Sequence, residues 1–228
     1  MSDILTAPPP MKYTETALNT DFEEFKKVVE SRRSVRVFDG TPIPDSVVQD
    51  VLNLGLLAPN SSNLQAWQFI WVKNPNLKKK LATICMSQNA ARTAAALIVC
   101  VAKPKLWKST RQQMIDLMTK ENAPAIAMDY YQKLVPLVYS VGPFSLFGFL
   151  KRIAFFFIGL FKVIPRGPYT YGQLREWAVK TNALACENIM LGFRAAGFDT
   201  CPMEGFDEVR LKKLLKLSSS DHVVMVIG

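Results

Sequence analysis

Three arginines, Arg32, Arg33 and Arg36, and two serines, Ser31 and Ser34, fall within six positions of this chain. Each guanidinium offers a planar fork of donors that meets a phosphate bidentately, and a serine hydroxyl rotates to suit, so the group has the chemistry to hold a phosphate monoester. The plainer alternative is a solvated basic helix end favoured by the helix dipole. A second polar set lies in the run APNSSNLQAWQF at residues 58–69, where Asn60, Ser61, Ser62, Asn63 and Gln65 can both donate and accept. Such a composition either reads a polar ligand or builds an ordinary surface turn. His222 is the single histidine. Triad chemistry would therefore rest on a residue that opens a strand-like run, a position where histidine is usually structural. Cys85, Cys100, Cys186 and Cys201 have neither C-x-x-C spacing nor histidine companions. That pattern disfavours a zinc site or disulfide framework and favours reduced thiols in a cytoplasmic core.

The 228 residues fit one generous domain or two small ones, with length for a real core, and the chain reads as a single domain, 1–228. A net charge of +9 comes without a block of like charges or an aromatic-plus-basic repeat, so it points to anionic ligands or a membrane surface rather than nucleic acid. The opening MSDILTAPPPMKY has an acidic third residue and a triple proline, and reads as a mobile arm over 1–20 rather than a signal or transit peptide.

The elements that would position the polar sets follow from pattern. Thr20-Asp21-Phe22-Glu23 resembles a capping box, and Phe22, Phe25, Val28 and Val29 keep helical spacing, predicting a helix over 21–33 that delivers the arginines at its end. Residues 35–38 are extended, and Pro42 to Asp45 open a second helix that runs to about Leu57. Residues 67–72 and 222–227 read as strands and 94–102 as a buried strand; 74–86 reads as a helix. The run 174–193 is apolar nearly all round, predicting a buried helix stopped at Gly197, and residues 201–207 form a tight non-helical turn. Strands separated by helices give a layered α+β or α/β fold.

Residues 104–172 stand apart. The uncharged run 134–150 contains Pro136, Gly142 and Pro143; Lys151 and Arg152 then interrupt before a second apolar run, 153–161. A spanning helix needs about 20 apolar residues, and neither half supplies them. Two readings remain: an apolar lid over an active site, and a helix lying in a membrane interface, with Lys151, Arg152, Lys162 and Arg166 as flanking cations and peripheral contact through 143–166.

Three stretches in this order carry a resemblance: R-R-S-V-R at 32–36, A-P-N-S-S-N-L-Q-A-W at 58–67 and G-F-D-T-C-P-M-E-G-F-D at 197–207. Together they resemble the FMN-dependent nitroreductase family, which includes oxygen-insensitive nitroreductases and flavin reductases. The likeness runs from about residue 22 to the end, apart from the 104–172 insert. It implies an α+β three-layer sandwich, with a central mostly antiparallel sheet flanked by helices, assembled as a homodimer with flavin at the subunit interface.

The resemblance further implies that Arg32, Arg33, Ser34 and Arg36 grip the FMN phosphate and ribityl chain and reach the pyrimidine edge. Asn60, Ser61, Ser62, Asn63 and Gln65 match the loop that reaches the same flavin from the neighbouring subunit. Glu204 and Gly205 match the turn whose backbone faces flavin N5 and the ring edge, with Pro202 and Met203 leading into it. Gln88 or Asn89 would stand at the nicotinamide face. The implied activity is hydride transfer from NADH or NADPH, through the flavin, to a nitroaromatic, quinone or similar flat acceptor, with no side-chain acid or base required. A membrane-surface quinone reductase and a flavin-storage protein without turnover are the alternatives. Ala66 replaces the proline usual before the tryptophan, which loosens that turn. The family usually continues beyond the position of Gly228 with a basic phosphate contact and an embracing arm; an end at Gly228 would leave the arginines to hold the phosphate alone and weaken flavin retention.

Overall fold

The computed structural model describes residue 16 and residues 18–228, so most of the arm expected over 1–20 lies outside the described residues. The described chain divides into two compact units: Thr20–Pro104 with Ala178–Gly228, and Lys105–Trp177.

The first unit is built on four strands: β1 (Trp67–Trp71), β2 (Ile98–Ala102), β3 (Pro202–Met203) and β4 (His222–Ile227). Their order is β1-β2-β4-β3 and every pair is antiparallel, as expected for this sheet. All five residues of β2 are buried. Successive side chains of a strand point to opposite faces, so this one strand feeds two cores. Ile98 and Cys100 pack with Val48 and Val51 of helix α2 (Asp45–Leu56) and with Cys186, Ile189 and Phe193. Val99 and Val101 pack on the other face with Leu81, Ala91 and Leu211, from α3 (Pro75–Ile84), α4 (Asn89–Thr93) and α10 (Glu208–Leu215). Val223 and Val226 share that second face although three apart, because the register of β2 on β4 shifts between Cys100 and Val101. Helix, sheet and helix thus form three layers.

Local chemistry explains most boundaries. Helix α1 (Phe22–Ser31) is capped by Asp21, whose Oδ1 accepts the Glu23 and Glu24 N–H groups at 2.9 and 3.1 Å; the cap is Asp21 rather than Thr20, and the helix ends two residues before the expected Arg33. Asn74 caps α3 through Leu77 N–H, with Pro75 at its first position. The buried strand begins at Ile98, not Ala94, because residues 89–93 wind into a helical turn closed by Ala94 N–H on Ala90 O. The turn expected over 201–207 contains the short strand β3. Long helix α9 (Tyr171–Ala195) outruns its predicted 174–193 at both ends, and Gly197 follows it at φ +87°. Where α2 crosses α9, a Cβ on Gly55 would lie 2.7 Å from Ile189 Cγ1, so the close approach requires glycine.

The second unit contains α5 (Trp107–Lys120), α6 (Ala125–Asp129), a π-helical segment (Tyr130–Leu134), α7 (Val135–Tyr139) and α8 (Leu146–Ile158). Its notable contact is Lys151. The sequence places this lysine among the flanking cations; instead its side chain is turned inward and the residue is 4% exposed. Lys151 Nζ donates to the carbonyls of Leu137, Val138 and Ser140 at 3.1, 2.6 and 3.0 Å. Carbonyls at a helix C-terminus have no intrahelical donors, so a neighbouring ammonium satisfies them and sits at the negative end of the dipole. Burial pushes the Lys151 ammonium down to about 8.

Lys151→Met would keep the volume and leave three carbonyls without this donor, at a cost of about 3 kcal/mol. Hydrogen exchange should show lost protection across residues 135–158, with β2 amides unchanged.

Candidate functional site

The arginine run leaves α1 and is fixed by backbone. Ser34 forms a parallel bridge with Thr200, and Val35 N–H donates to Thr200 O at 3.1 Å. Cys201 and Gly228 exchange both backbone hydrogen bonds at 2.9 and 3.1 Å, which ties this segment to the end of β4. Phe38 N–H donates to Thr93 Oγ1 at 2.9 Å, anchoring the far side of the run on α4. Phe38, Ile43, Phe193 and Phe198 line a cavity of about 390 Å³ beside it. The structure therefore joins the arginine run to the start of the 200–205 stretch through main-chain pairing at Ser34, Val35 and Thr200, which leaves the side chains there for other work.

Those side chains are not equivalent. Arg33 Nη1 donates to Glu30 O at 2.5 Å and Arg32 O at 2.7 Å, closing the end of its own helix. Arg36 is exposed and Arg32 half-buried. Arg36 lies close enough to Cys201 to pull its thiol down, although burial wins and the thiol stands above its ordinary value. Ser34 is exposed beside Thr200, whose buried Oγ1 has no hydrogen-bond partner. A buried hydroxyl left unpaired costs free energy, and its position beside a serine and arginines marks a place for an acceptor. In the sequence nothing distinguishes Thr200, because a lone threonine in G-F-D-T-C carries no periodic or charge signal.

The turn after β3 meets a third segment. Gln88 Nε2 donates to Gly205 O at 2.8 Å, and Asp207 N–H donates to Ile84 O at 3.0 Å. A Cβ on Gly205 would lie 3.0 Å from that same Nε2. Glu204 and Gly205 are exposed, and Asn89 is exposed at the start of α4. Met203 differs: its side chain is buried in the core with Leu211 and Val226, so only its backbone borders the turn. Met86 and Ser87 hold φ of +58° and +53° just before Gln88. Left-handed backbone at two non-glycine residues costs energy and clusters at functional loops. No glycine or asparagine at these positions advertises it.

The loop expected to complete the site is elsewhere. Asn60 Oδ1 accepts Gln65 N–H at 2.9 Å and Gln65 Nε2 donates to Asn63 Oδ1 at 3.2 Å, so the loop is braced on itself, with Ser61–Asn63 in a 3₁₀ turn. Ser62, Asn63 and Gln65 all have positive φ. It enters β1 at Trp67, opposite Ala102 and His222, whereas Ser34 and Thr200 lie beyond the Ile98 and Ile227 end. Four strand steps separate those ends, about 13 Å. Within one chain, the loop and the arginine run thus approach opposite ends of the sheet.

His222 is structural in its geometry: Nδ1 stands 3.7 Å from Glu208 Oε1. Burial would raise the Glu208 carboxyl, but Val223 N–H, Lys212 and His222 outweigh it and hold the group below its ordinary value. The four cysteines are free and buried. Among the described residues, no group of three or more His, Cys, Asp or Glu is placed to hold a metal ion.

The family model for the nitroreductase family matches residues 29–228. The chain belongs to the nitroreductase family. It is 23% identical over 199 residues to an oxygen-insensitive NADPH nitroreductase of Helicobacter pylori, covering 86% of this chain and 81% of that protein. A candidate NADH dehydrogenase/NAD(P)H nitroreductase of Archaeoglobus fulgidus is 37% identical over 87 residues, which are 38% of this chain and 49% of that one. The crystal structure of a candidate nitroreductase of Exiguobacterium sibiricum in complex with FMN superposes with a TM-score of 0.66 at 21% identity, covering 95% of this chain and 89% of that one. The α+β sandwich expected from the sequence is the fold of these neighbours.

Gln88→Ala should release the Gly205 carbonyl at a cost of about 1 kcal/mol. Amides of residues 204–207 should exchange faster while those of β2 keep their protection.

Proposed function

We propose that this chain is an NAD(P)H-dependent FMN oxidoreductase of the nitroreductase type. Its acceptor would be a nitroaromatic, a quinone or another flat oxidant. The observation that carries the reading is the Ser34–Thr200 bridge within the matched family region, which sets a basic and hydroxyl-bearing run beside a glycine turn.

The donor set fits FMN. Arg32 and Arg36 would hold the phosphate with charge-assisted bonds, and Ser34 and the unpaired Thr200 hydroxyl would complete the cradle. Arg33, engaged with carbonyls of α1, would set the angle of the run rather than lead the grip. The backbone of Glu204 and Gly205, held by Gln88, would border the ring, and the missing Cβ at Gly205 permits a close approach. When bound, FMN supplies acceptance and donation of hydride at N5. The chain's own work is to bind, orient and stabilise negative charge at the ring edge, a role Arg36 would fill with its exposed guanidinium.

Asn60, Ser61, Ser62, Asn63 and Gln65 would reach the flavin from a second copy, a reading supported by their position at the far end of the sheet. The uncovered faces support a homodimer too. Helix α1 keeps Phe22, Phe25 and Val29 exposed and buries no residue, and Leu54, Leu56 and Leu57 are exposed around the end of α2. Apolar stripes of this kind need a partner. The free thiols support a reducing, cytoplasmic setting.

Protein purified without added flavin, or reconstituted with FMN, should show a flavin absorbance spectrum that bleaches anaerobically on addition of NADH or NADPH and recovers with a nitroaromatic or quinone. Failure to bind added FMN would refute the reading. Arg32→Ala and Arg36→Ala should each weaken FMN binding by about tenfold to a hundredfold, the worth of one charge-assisted contact. Titration against flavin fluorescence measures it.

A further inference from the structure

Residues 143–166 have their polarity inside out. In α8 the buried residues are Gly148, Lys151 and Phe155, spaced three and four apart, so one face meets the rest of its unit. That face is well seated. A Cβ on Gly148 would overlap Tyr169 O, the Phe155 ring lies 6.4 Å from the Tyr169 ring, and Lys151 is spent on three carbonyls. The opposite face carries Leu146, Phe149, Leu150, Ile153, Phe156 and Phe157, all exposed. The exposed apolar surface continues through Leu160, Phe161 and Val163 and begins at Phe144, which is fully exposed. Isolated exposed hydrophobes are ordinary; a continuous patch of this extent marks an interaction surface.

Charge selects the occupant. From residue 130 to residue 175 the chain contains no Asp or Glu, while Lys133, Lys151, Arg152, Lys162, Arg166 and Arg175 are all basic. With Lys151 buried, Arg152 and Lys162 remain exposed beside the apolar face, and Arg166 closes the helix end on Gly159 O at 3.0 Å. Apolar residues bordered by cations, in a stretch of chain without acidic residues, complement an anionic bilayer surface. Geometry favours lying on the bilayer over crossing it. Among the described residues no single helix is long and apolar enough to span, and the pair Ala125–Tyr139 and Pro143–Ile158 is bent by 77°. The bend passes through Gly142, Phe144 and Ser145, all at positive φ. Thirteen residues of α8 reach about 20 Å, short of the hydrocarbon thickness of about 30 Å.

We infer that α8 and the segment following it form a docking face for the surface of an anionic lipid bilayer, the Leu146-to-Phe157 stripe entering the interface while Arg152 and Lys162 meet the headgroups. Sequestration of Lys151 is what makes this face continuous.

The test is sedimentation of the full FMN-loaded chain with phosphatidylcholine vesicles, with and without about one quarter phosphatidylglycerol. The expected result is pelleting with the anionic vesicles, weaker pelleting with phosphatidylcholine alone, and loss of the difference at high salt. Phe149→Asp with Phe157→Asp should lower partitioning by about tenfold or more. Arg152→Glu with Lys162→Glu should remove the preference for anionic lipid. Val209→Asp, at an exposed apolar position on α10, should change neither. Circular dichroism and retained flavin absorbance identify variants that stay folded. Protein left in the supernatant with both vesicle types would overturn the inference. So would pelleting that ignores both double variants, or variants that lower the oligomer mass in light scattering without any vesicle binding, which would assign the face to a second copy.

Discussion

Every backbone N–H and C=O of β2 is out of reach of water, so each must find a partner within the sheet. That requirement fixes β1 and β4 on its two sides, and the rest of the first unit follows. With both edges paired, the alternation of Ile98 and Cys100 against Val99 and Val101 assigns α2 and α9 to one face and α3, α4 and α10 to the other. An antiparallel strand commonly shows one wet face; this one reads as a continuous apolar run because helices cover both. Two polar side chains of this interior are hydrogen-bonded in a chain: Asn182 Nδ2 donates to Val101 O at 3.2 Å, and Cys186 Sγ donates to Asn182 Oδ1 at 3.2 Å. A hydrogen bond with Cys186, with burial, pushes the Cys100 thiol well above its ordinary value, which keeps it neutral and inert.

The candidate site occupies the margin of that sheet rather than its centre. Strand β3 is two residues long, and the arginine run joins by a single bridge, so ladder pairing stops where ligand contact would begin. Main-chain bonds locate Ser34 and Thr200, the Gln88 side chain holds Gly205, and the other side chains nearby divide between holding the fold and facing outward. Arg33 belongs to the first group and Arg36 to the second, a distinction that guanidinium chemistry alone cannot make because both carry the same fork of donors.

Legibility in the sequence followed the range of the forces involved. Strand β4 is where β-branched alternation puts it, and the N-cap of α3 lies where Asn-Pro marks it, since both depend on neighbours in the chain. Strand β2 starts four residues later than the apolar pattern puts it: Ala94 to Leu97 are as apolar as a strand requires, but closure of the preceding helical turn on Ala90 keeps Ala94 at the helix end. The three motif stretches were visible as donor-rich runs. Which of them meet in one chain was not, because adjacency of residues 34 and 200, and the distance from either to residue 62, are products of strand order. Gln88 was legible only through family likeness; its bond to Gly205 spans 117 residues.

Lys151 shows how far a correct rule can mislead. A cation in an apolar helix normally marks the wet side, and on that basis the helix would turn its phenylalanines inward. The competing demand is the row of carbonyls at the end of α7, which would otherwise be buried without donors. Paying for the desolvation of one ammonium with three short bonds satisfies them, and the helix rotates accordingly. Because Gly148 and Phe155 share the face of Lys151, the aromatic residues at 149, 156 and 157 have no position left but the outside. The exposed apolar stripe is thus a consequence of hydrogen bonding in the interior, and any partner of that stripe is selected by the same lysine that hydropathy would have placed in water.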